Sequence, residues 1–449
     1  MSTPSPNPGP RLARWQTITG ITLFIGYTGY YVCRSNLSVA APLLKQDGWT
    51  KEDLGYIASF GIAMYAIGKI VNGILSDFLG GRRLFLAGML GSILATAIFA
   101  FSGSMFAGAS SLAVFTAIWA CNRFLPSTGW VAPVTTAPRW FPLGRQATIM
   151  GVLSMSFLLG DAGVRLYLGA LIKNGMDWQG VFFVSAGTLS VIFCVAWFTL
   201  KSRASDLGLP EPDSHQASVH QSDEDACSGR DLIGLIRPFL TNGIFWLICV
   251  INFGLTLIRE TFNFWTPLYL SETTQLDAGS AAISSLLFPL VGAGSALLAG
   301  FLSDGLGGRH GRVVVPALVG LTVTLIILST RRSDAASPWI VLTLICLVSF
   351  FLMAPYTFLS GVMAVELGGK RGSSTAAGLI DSAGYFGAVI SGWGIAKIAT
   401  DRGWSAAFAF LAGVSVLTGV AGLIYWFCHE NQLNQLRHAQ TDLEPPHSG

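Results

Sequence analysis

The sequence predicts an all-α membrane protein in which twelve transmembrane helices form two pseudo-symmetric six-helix bundles. Three observations lead there. Of 449 residues, 52% are hydrophobic and 11% charged, whereas a soluble chain carries about a quarter charged residues. Apolar runs near the spanning length of about 20 residues recur six times on either side of one polar stretch. The second set repeats landmarks of the first at an almost constant offset.

The first run, 15–44, is too long for the core of a signal peptide and is expected to be the first spanning helix. Runs follow at 53–76, 84–103, 110–137, 147–172 and 179–200. They resume at 239–270, 280–303, 313–330, 338–365, 375–398 and 405–427. The expected organisation is a tail (1–14), a bundle (15–200), a linker (201–238), a second bundle (239–428) and a second tail (429–449). The linker holds Asp213-Ser-His-Gln216 and Ser222-Asp-Glu-Asp225, a composition that cannot bury a core.

Orientation follows from the basic residues, which accumulate on the cytoplasmic side. One set of ends and loops carries fifteen of them, including Arg82, Arg83, Arg139, Arg145, Arg309, Arg312, Lys370 and Arg371. The opposite loops carry six: Lys45, Lys51, Lys173, Arg331, Arg332 and Arg402. Both termini and the linker are therefore expected in the cytoplasm.

Internal duplication is the strongest organisational signal. Gly73-Ile-Leu-Ser-Asp-Phe-Leu-Gly-Gly-Arg-Arg83 recurs as Gly300-Phe-Leu-Ser-Asp-Gly-Leu-Gly-Gly-Arg-His310, eight identities in eleven at an offset of 227. Trp178, Phe182, Ala186 and Gly187 recur as Trp404, Phe408, Ala412 and Gly413 at an offset of 226. Two parallel repeats of this kind build many secondary transporters. In the duplicated loop, Asp77 and Asp304 stand close to Arg82, Arg83, Arg309 and Arg312. Such charges either latch the two bundles or merely mark helix ends.

Seven cysteines without a Cys-x-x-Cys spacing read as small buried hydrophobes, with neither a disulfide framework nor a metal site. The six histidines fall in expected loops or the tail, away from any membrane-buried site. No cofactor or metal is expected, and a net charge of +3 gives no reason to expect a nucleic-acid partner.

Function is sought in the charges inside the spans, each of which costs roughly 2.5–3.5 kcal/mol at a helix centre on insertion scales. The cations are Arg34, Lys69, Arg123, Arg165, Arg259 and Lys397; the acids are Asp161, Glu260 and Asp381. Arg34 and Arg259 are 225 residues apart, and each is followed eight residues later by Pro-Leu, at Pro42 and Pro267. Asp161 and Arg165 have the i, i+4 spacing of an ion pair, and Lys397 can snorkel outward. The remaining cations exceed the remaining acids by two, which calls for an anionic ligand of about two charges, as phosphate is. Arginine suits it, because its planar fork pairs two-by-two with phosphate oxygens. The alternative is that Arg34 and Arg259 bind Glu260, Asp381 or helix carbonyls and only hold the bundles together. Glu260 follows Arg259 directly and on a helix points about 100° away, so it is expected to be a poor partner. The candidate substrate-binding residues are Arg34, Arg259, Lys69, Asp381, Tyr31 and Arg123. Arg123 has a second reading beside Pro126, where it could satisfy freed carbonyls. Asp381 could neutralise Lys69, bind a substrate hydroxyl or carry a proton.

Several stretches together resemble the organophosphate:phosphate antiporters of the major facilitator superfamily. They are Tyr30-Tyr-Val-Cys-Arg34-Ser-Asn, Tyr65-Ala-Ile-Gly-Lys69, Gly129-Trp130, Arg259-Glu-Thr-Phe-Asn-Phe-Trp-Thr-Pro-Leu-Tyr-Leu-Ser-Glu272 and Thr375-Ala-Ala-Gly-Leu-Ile-Asp381-Ser-Ala-Gly-Tyr-Phe-Gly387. The resemblance implies a bacterial inner-membrane carrier, not an enzyme, that exchanges a phosphate ester for inorganic phosphate by alternating access. The esters in view are of sugar phosphate, glycerol phosphate or phosphoglycerate type. It also implies that Arg34 and Arg259 clamp the phosphoryl group with help from Lys69. The expected partners are the ester, inorganic phosphate and the lipid bilayer, with the protein a monomer. Where the glycerol-phosphate carriers have a histidine, this chain has Phe157. Asp161 and Arg165 are further departures. A proton-coupled symporter of an organic anion and a membrane sensor of a sugar phosphate are the alternatives.

Overall fold

The structure is a computed structural model that describes residues 9–105, 109–210, 237–305, 310–330, 337–359 and 362–441. Among the described residues the regular elements are helices. The first unit contributes α1 (Pro10–Gln46), α2 (Lys51–Leu79), α3 (Gly81–Met105), α4 (Ala109–Phe124), α5 (Val131–Trp140), α6 (Leu143–Lys173) and α7 (Trp178–Thr199). Then come α8 (Gly243–Thr273), α9 (Ala278–Ser284), α10 (Leu287–Gly305), α11 (Gly311–Thr330), α12 (Pro338–Leu359), α13 (Val362–Ile390) and α14 (Trp393–Thr441).

Nine stretches among the described residues are long and apolar enough to span a bilayer. The last, Ala376–Cys428, covers two spans, because the backbone breaks at Gly403 with φ 82°, a conformation that favours glycine. α1, with its interior arginine, and the α4–α5 stretch complete the twelve-helix fold. Pro126 interrupts that stretch with a 3-10 turn, Leu125–Thr128.

The chain forms two compact units. One comprises Met1–Cys227 with Phe264–Leu290, the other Ser228–Asn263 with Val291–Gly449. The division therefore passes through α8, ahead of its internal Pro267.

In the first unit α1 is the axis. Its Tyr30 hydroxyl donates to the Phe85 carbonyl at 2.5 Å and meets Thr128 Oγ1 at 3.0 Å. Tyr30 is thus a packing residue whose hydroxyl proton has a backbone acceptor. α1 begins at Pro10, ahead of the expected Trp15, because Leu12 packs with Ala137, Trp140, Phe141 and Ala204. Gln16 Nε2 donates to the Trp140 carbonyl at 2.7 Å, and Trp140 Nε1 to that of Lys201 at 3.1 Å. Arg82 caps the end of α7, donating to the carbonyls of Leu200 (2.6 Å) and Trp197 (3.0 Å), groups that a helix terminus leaves without partners. The side chains of Asp77, Asp304 and Arg309 lie outside the described residues, and with them the expected latch.

Glu272, near the end of α8, binds both Lys45 and Lys51, the latter at 2.7 Å. Asp277 caps α9 by accepting from Ser280 N at 2.9 Å. The Ser280 hydroxyl and N–H hold its carboxyl below the ordinary carboxylate range.

In the second unit Thr322 Oγ1 lies 2.7 Å from Ser415 Oγ, joining α11 to α14. Two sequence expectations are corrected. His310, expected in an open loop, is buried: Nδ1 lies 2.7 Å from Ser303 Oγ and the ring packs on Phe358. A polar partner and an aromatic face offset the burial of the imidazole. Of the cysteines, Cys33 and Cys249 are buried as expected, but Cys121, Cys194 and Cys428 are exposed. Cys194 and Cys428 lie on outward helix faces that also expose Val195, Phe198 and Phe427; a bilayer makes such faces as apolar as a core.

Candidate functional site

The first unit gathers three of the expected cations around one ring, that of Tyr65. Tyr65 and Lys69 stand four residues apart on α2, hence on one helix face, and Lys69 Nζ lies 5.8 Å from the ring centroid. Arg34 reaches the same ring from α1 at 4.4 Å, and Arg123 from α4 at 5.2 Å. All three distances fall in the range of cation–π attraction. Arg34 Nη1 also donates to the hydroxyls of Tyr31 and Tyr65, each at 3.1 Å. Tyr31, one turn before Arg34, lies 5.0 Å beneath the guanidinium and meets Tyr27 edge-on. The hydroxyls and rings of Tyr31 and Tyr65 thus orient the Arg34 fork.

Local sequence explains why α2 and α4 come so close. A Cβ at Gly68 would lie 2.5 Å from Ser127 Oγ and 2.9 Å from the Phe124 carbonyl oxygen, so only glycine fits beside Lys69. Asn72 Nδ2 donates to Ser127 Oγ at 2.7 Å. The carbonyls around Pro126 have local donors: Phe124 O accepts from Ser127 Oγ at 2.7 Å, and Leu125 O from Thr128 Oγ1 at 2.8 Å. The Arg123 guanidinium sits over the Tyr65 ring.

The second unit holds Arg259 and Asp381. Arg259 donates to the Tyr356 hydroxyl and lies 4.4 Å from that ring's centroid. Its Nη2 also donates to Glu260 Oε1 at 2.7 Å. This corrects the expectation that Glu260 is a poor partner. The 100° between neighbouring Cβ directions is spanned because both arms are long and fold toward each other. Burial adds the drive, since an unpaired charge there is expensive. Asp381 is half-buried on α13, directly after Ile380, whose carbonyl accepts from Asn252 Nδ2 of α8 at 2.7 Å. Lys69 and Asp381 belong to different units.

Asp161 and Arg165 form the expected i, i+4 pair, with Nε to Oδ2 at 2.9 Å. Both are buried, Arg165 with 1% of its surface exposed. Two serines complete the pair. Ser35 donates to Asp161 Oδ1 at 2.5 Å, and Arg165 Nη1 donates to Ser285 Oγ at 2.9 Å.

Tyr65, Tyr356, Ser35 and Ser285 escaped the sequence reading as site residues. Only Tyr65 carried a signal, its four-residue spacing from Lys69. The others meet their partners through tertiary packing alone.

A hexose phosphate transport protein of Chlamydia trachomatis, described as probable, is 28% identical over 94% of this chain and 94% of its own length. The membrane sensor protein UhpC of Salmonella typhimurium is likewise 28% identical, over 92% of this chain and 91% of its own. Among solved structures, a D-xylose-proton symporter superposes with a TM-score of 0.68 at 13% identity, covering 91% of this chain and 97% of that one. At that identity the likeness concerns the fold. The family model described as Major Facilitator Superfamily matches residues 23–392. The chain, with its twelve helices and its charges buried within them, belongs to the Major Facilitator Superfamily, a family of membrane transporters.

Proposed function

We propose that the protein exchanges an organic phosphate ester for inorganic phosphate by alternating access, with Arg34 and Arg259 supplying the guanidinium forks for the phosphoryl group. The observation that carries this reading is the gathering of Arg34, Lys69 and Arg123 around Tyr65. Three cations at one ring repel one another, and a dianion among them reverses that term. Tyrosine hydroxyls on Arg34 and Arg259 orient both forks, as two-by-two phosphate binding requires. A hexose phosphate carrier among the relatives supports a sugar phosphate as the ester. Lys69 and Arg123 assist at the phosphoryl group, Tyr31 steadies Arg34, and Asp381 faces the organic part. The setting is a bacterial inner membrane, with both termini in the cytoplasm and the carrier acting as a monomer.

The test is to load proteoliposomes with labelled phosphate and add candidate esters outside. Sugar phosphates should release the label, whereas sugars without a phosphate should not. Release driven equally well by unphosphorylated anions would overturn the reading. A sensing role is the second reading, because one relative at the same identity is a membrane sensor. Rapid substrate flux through the purified protein would exclude a pure sensor.

A further inference from the structure

The buried chain Ser35–Asp161–Arg165–Ser285 has no part in the reading above, yet it begins one residue from Arg34. α1 and α6 are joined at two points on one stripe of α1. Thr28 Oγ1 donates to the Ser156 carbonyl at 3.2 Å, and Ser35 Oγ to Asp161 Oδ1 at 2.5 Å. Seven residues separate Thr28 from Ser35, nearly two full turns, so both lie on the same face. Between them Gly160 lets the helices touch: a Cβ there would lie 3.2 Å from Thr28 Cα. Two bonds two turns apart oppose rotation of α1 about its own axis. Arg34 stands about 100° round the helix from Ser35, on the side where Tyr31 and Tyr65 receive it. Asp161 is itself immobilised, its second oxygen bound by Arg165 and its side chain buried. Arg165 reaches on to Ser285, at the break between α9 and α10.

We infer that Asp161 is a positioning residue for phosphate recognition: anchored by Arg165, its carboxylate fixes through Ser35 the rotation of α1 that aims the Arg34 fork. The inference rests on the proposed role of Arg34 and deepens it. A carboxylate acceptor is suited to the task, because a hydrogen bond to a carboxylate is about twice as strong as a neutral one. Misaiming a bidentate fork by a fraction of an ångström removes one of its two bonds to a phosphate oxygen, which weakens binding about tenfold.

The experiment measures inorganic phosphate binding by calorimetry on the purified full-length carrier, with exchange in proteoliposomes alongside. Ser35→Ala should raise the phosphate Kd about tenfold and raise KM in step, with kcat little changed. Ser35→Thr, which keeps the hydroxyl, should restore binding. In the Arg34→Lys background Ser35→Ala should add nothing, because the fork it aims is gone. Ser285→Ala tests the other end of the chain and leaves the Ser35–Asp161 bond in place. Wild-type phosphate affinity in folded Ser35→Ala protein would overturn the inference. So would an equal loss in Ser285→Ala, which would mark the network as structural cement. Should Ser35→Ala not fold, Ser35→Cys, a weaker donor of similar size, carries the same expectation with a smaller shift. If Arg34→Lys itself binds phosphate normally, the proposed function has failed, and this is distinct from failure of the positioning role.

Discussion

The guanidinium of Arg34 lies 4.4 Å from the centroid of Tyr65 and donates to that tyrosine's hydroxyl at 3.1 Å. One neutral side chain thereby orients a half-buried cation through both its ring and its hydroxyl. Arg34→Lys and Arg259→Lys should each nearly abolish exchange while leaving the protein inserted and folded. Lysine keeps the charge but loses the planar fork, and one charge-assisted bond is worth roughly 1.5–3 kcal/mol, or about ten- to a hundredfold in affinity. Phosphate titrations of the purified variants check this; near-normal affinity in both would remove the clamp.

Tyr65→Phe separates the hydroxyl from the ring. The ring contacts of Arg34, Lys69 and Arg123 survive, and the 3.1 Å bond from Arg34 is lost. Phosphate affinity should fall by about three- to tenfold, in line with roughly 0.5–1.5 kcal/mol for one hydrogen bond. Tyr65→Leu, which removes the ring as well, should fall further. Equal affinities for the two variants would deny the ring a role.

Asp161→Asn and Arg165→Gln should each lower expression or thermal stability more than the double variant does. Removing one partner strands a buried charge, at about 3–5 kcal/mol, whereas removing both does not. Unfolding temperatures in detergent decide it. A double variant less stable than either single would show that the pair is not coupled in this way.

Gly68→Ala should disturb both packing and binding. The added methyl meets Ser127 Oγ and the Phe124 carbonyl, and overpacking of this kind costs roughly 1–3 kcal/mol. Lys69, the next residue, should move with its helix. A lower melting temperature accompanied by weaker phosphate binding is the expected outcome. Unchanged values of both would mean that α2 and α4 can separate freely at this point.

Coupling should be strict. The carrier should exchange phosphate for phosphate and show little net efflux into phosphate-free medium. An empty site would have to close around like charges, at a dielectric where each such pair is worth several times its energy in water. Each 1.4 kcal/mol so added slows the empty step about tenfold. Vesicles preloaded with labelled phosphate and diluted with or without external phosphate give the answer. Equal efflux in the two media would point to a carrier that returns empty, with Asp381→Asn the next variant to measure.

What the sequence determined by itself were the properties that repeat along a single helix or between the two halves. Run length and charge scarcity specified spanning helices, because backbone in hydrocarbon must bond to itself. The duplicated glycine-aspartate loop specified two repeats. The four-residue spacing of Asp161 and Arg165 specified their ion pair, now seen at 2.9 Å. The echo of Arg34-x7-Pro42 in Arg259-x7-Pro267 singled out two residues that the structure surrounds with tyrosines. Tertiary structure alone decided which faces meet. Nothing in the string announces that Tyr65, Arg34 and Arg123 converge from three helices, that Tyr356 receives Arg259, or that Ser35 and Ser285 close a polar chain through α6. Glu260 shows the limit most plainly. Helical geometry at the Cβ atoms separates it from Arg259, yet the buried side chains bend together to 2.7 Å. Backbone periodicity is a one-dimensional property, whereas the final torsions of long side chains are set by desolvation and by the neighbours that packing supplies.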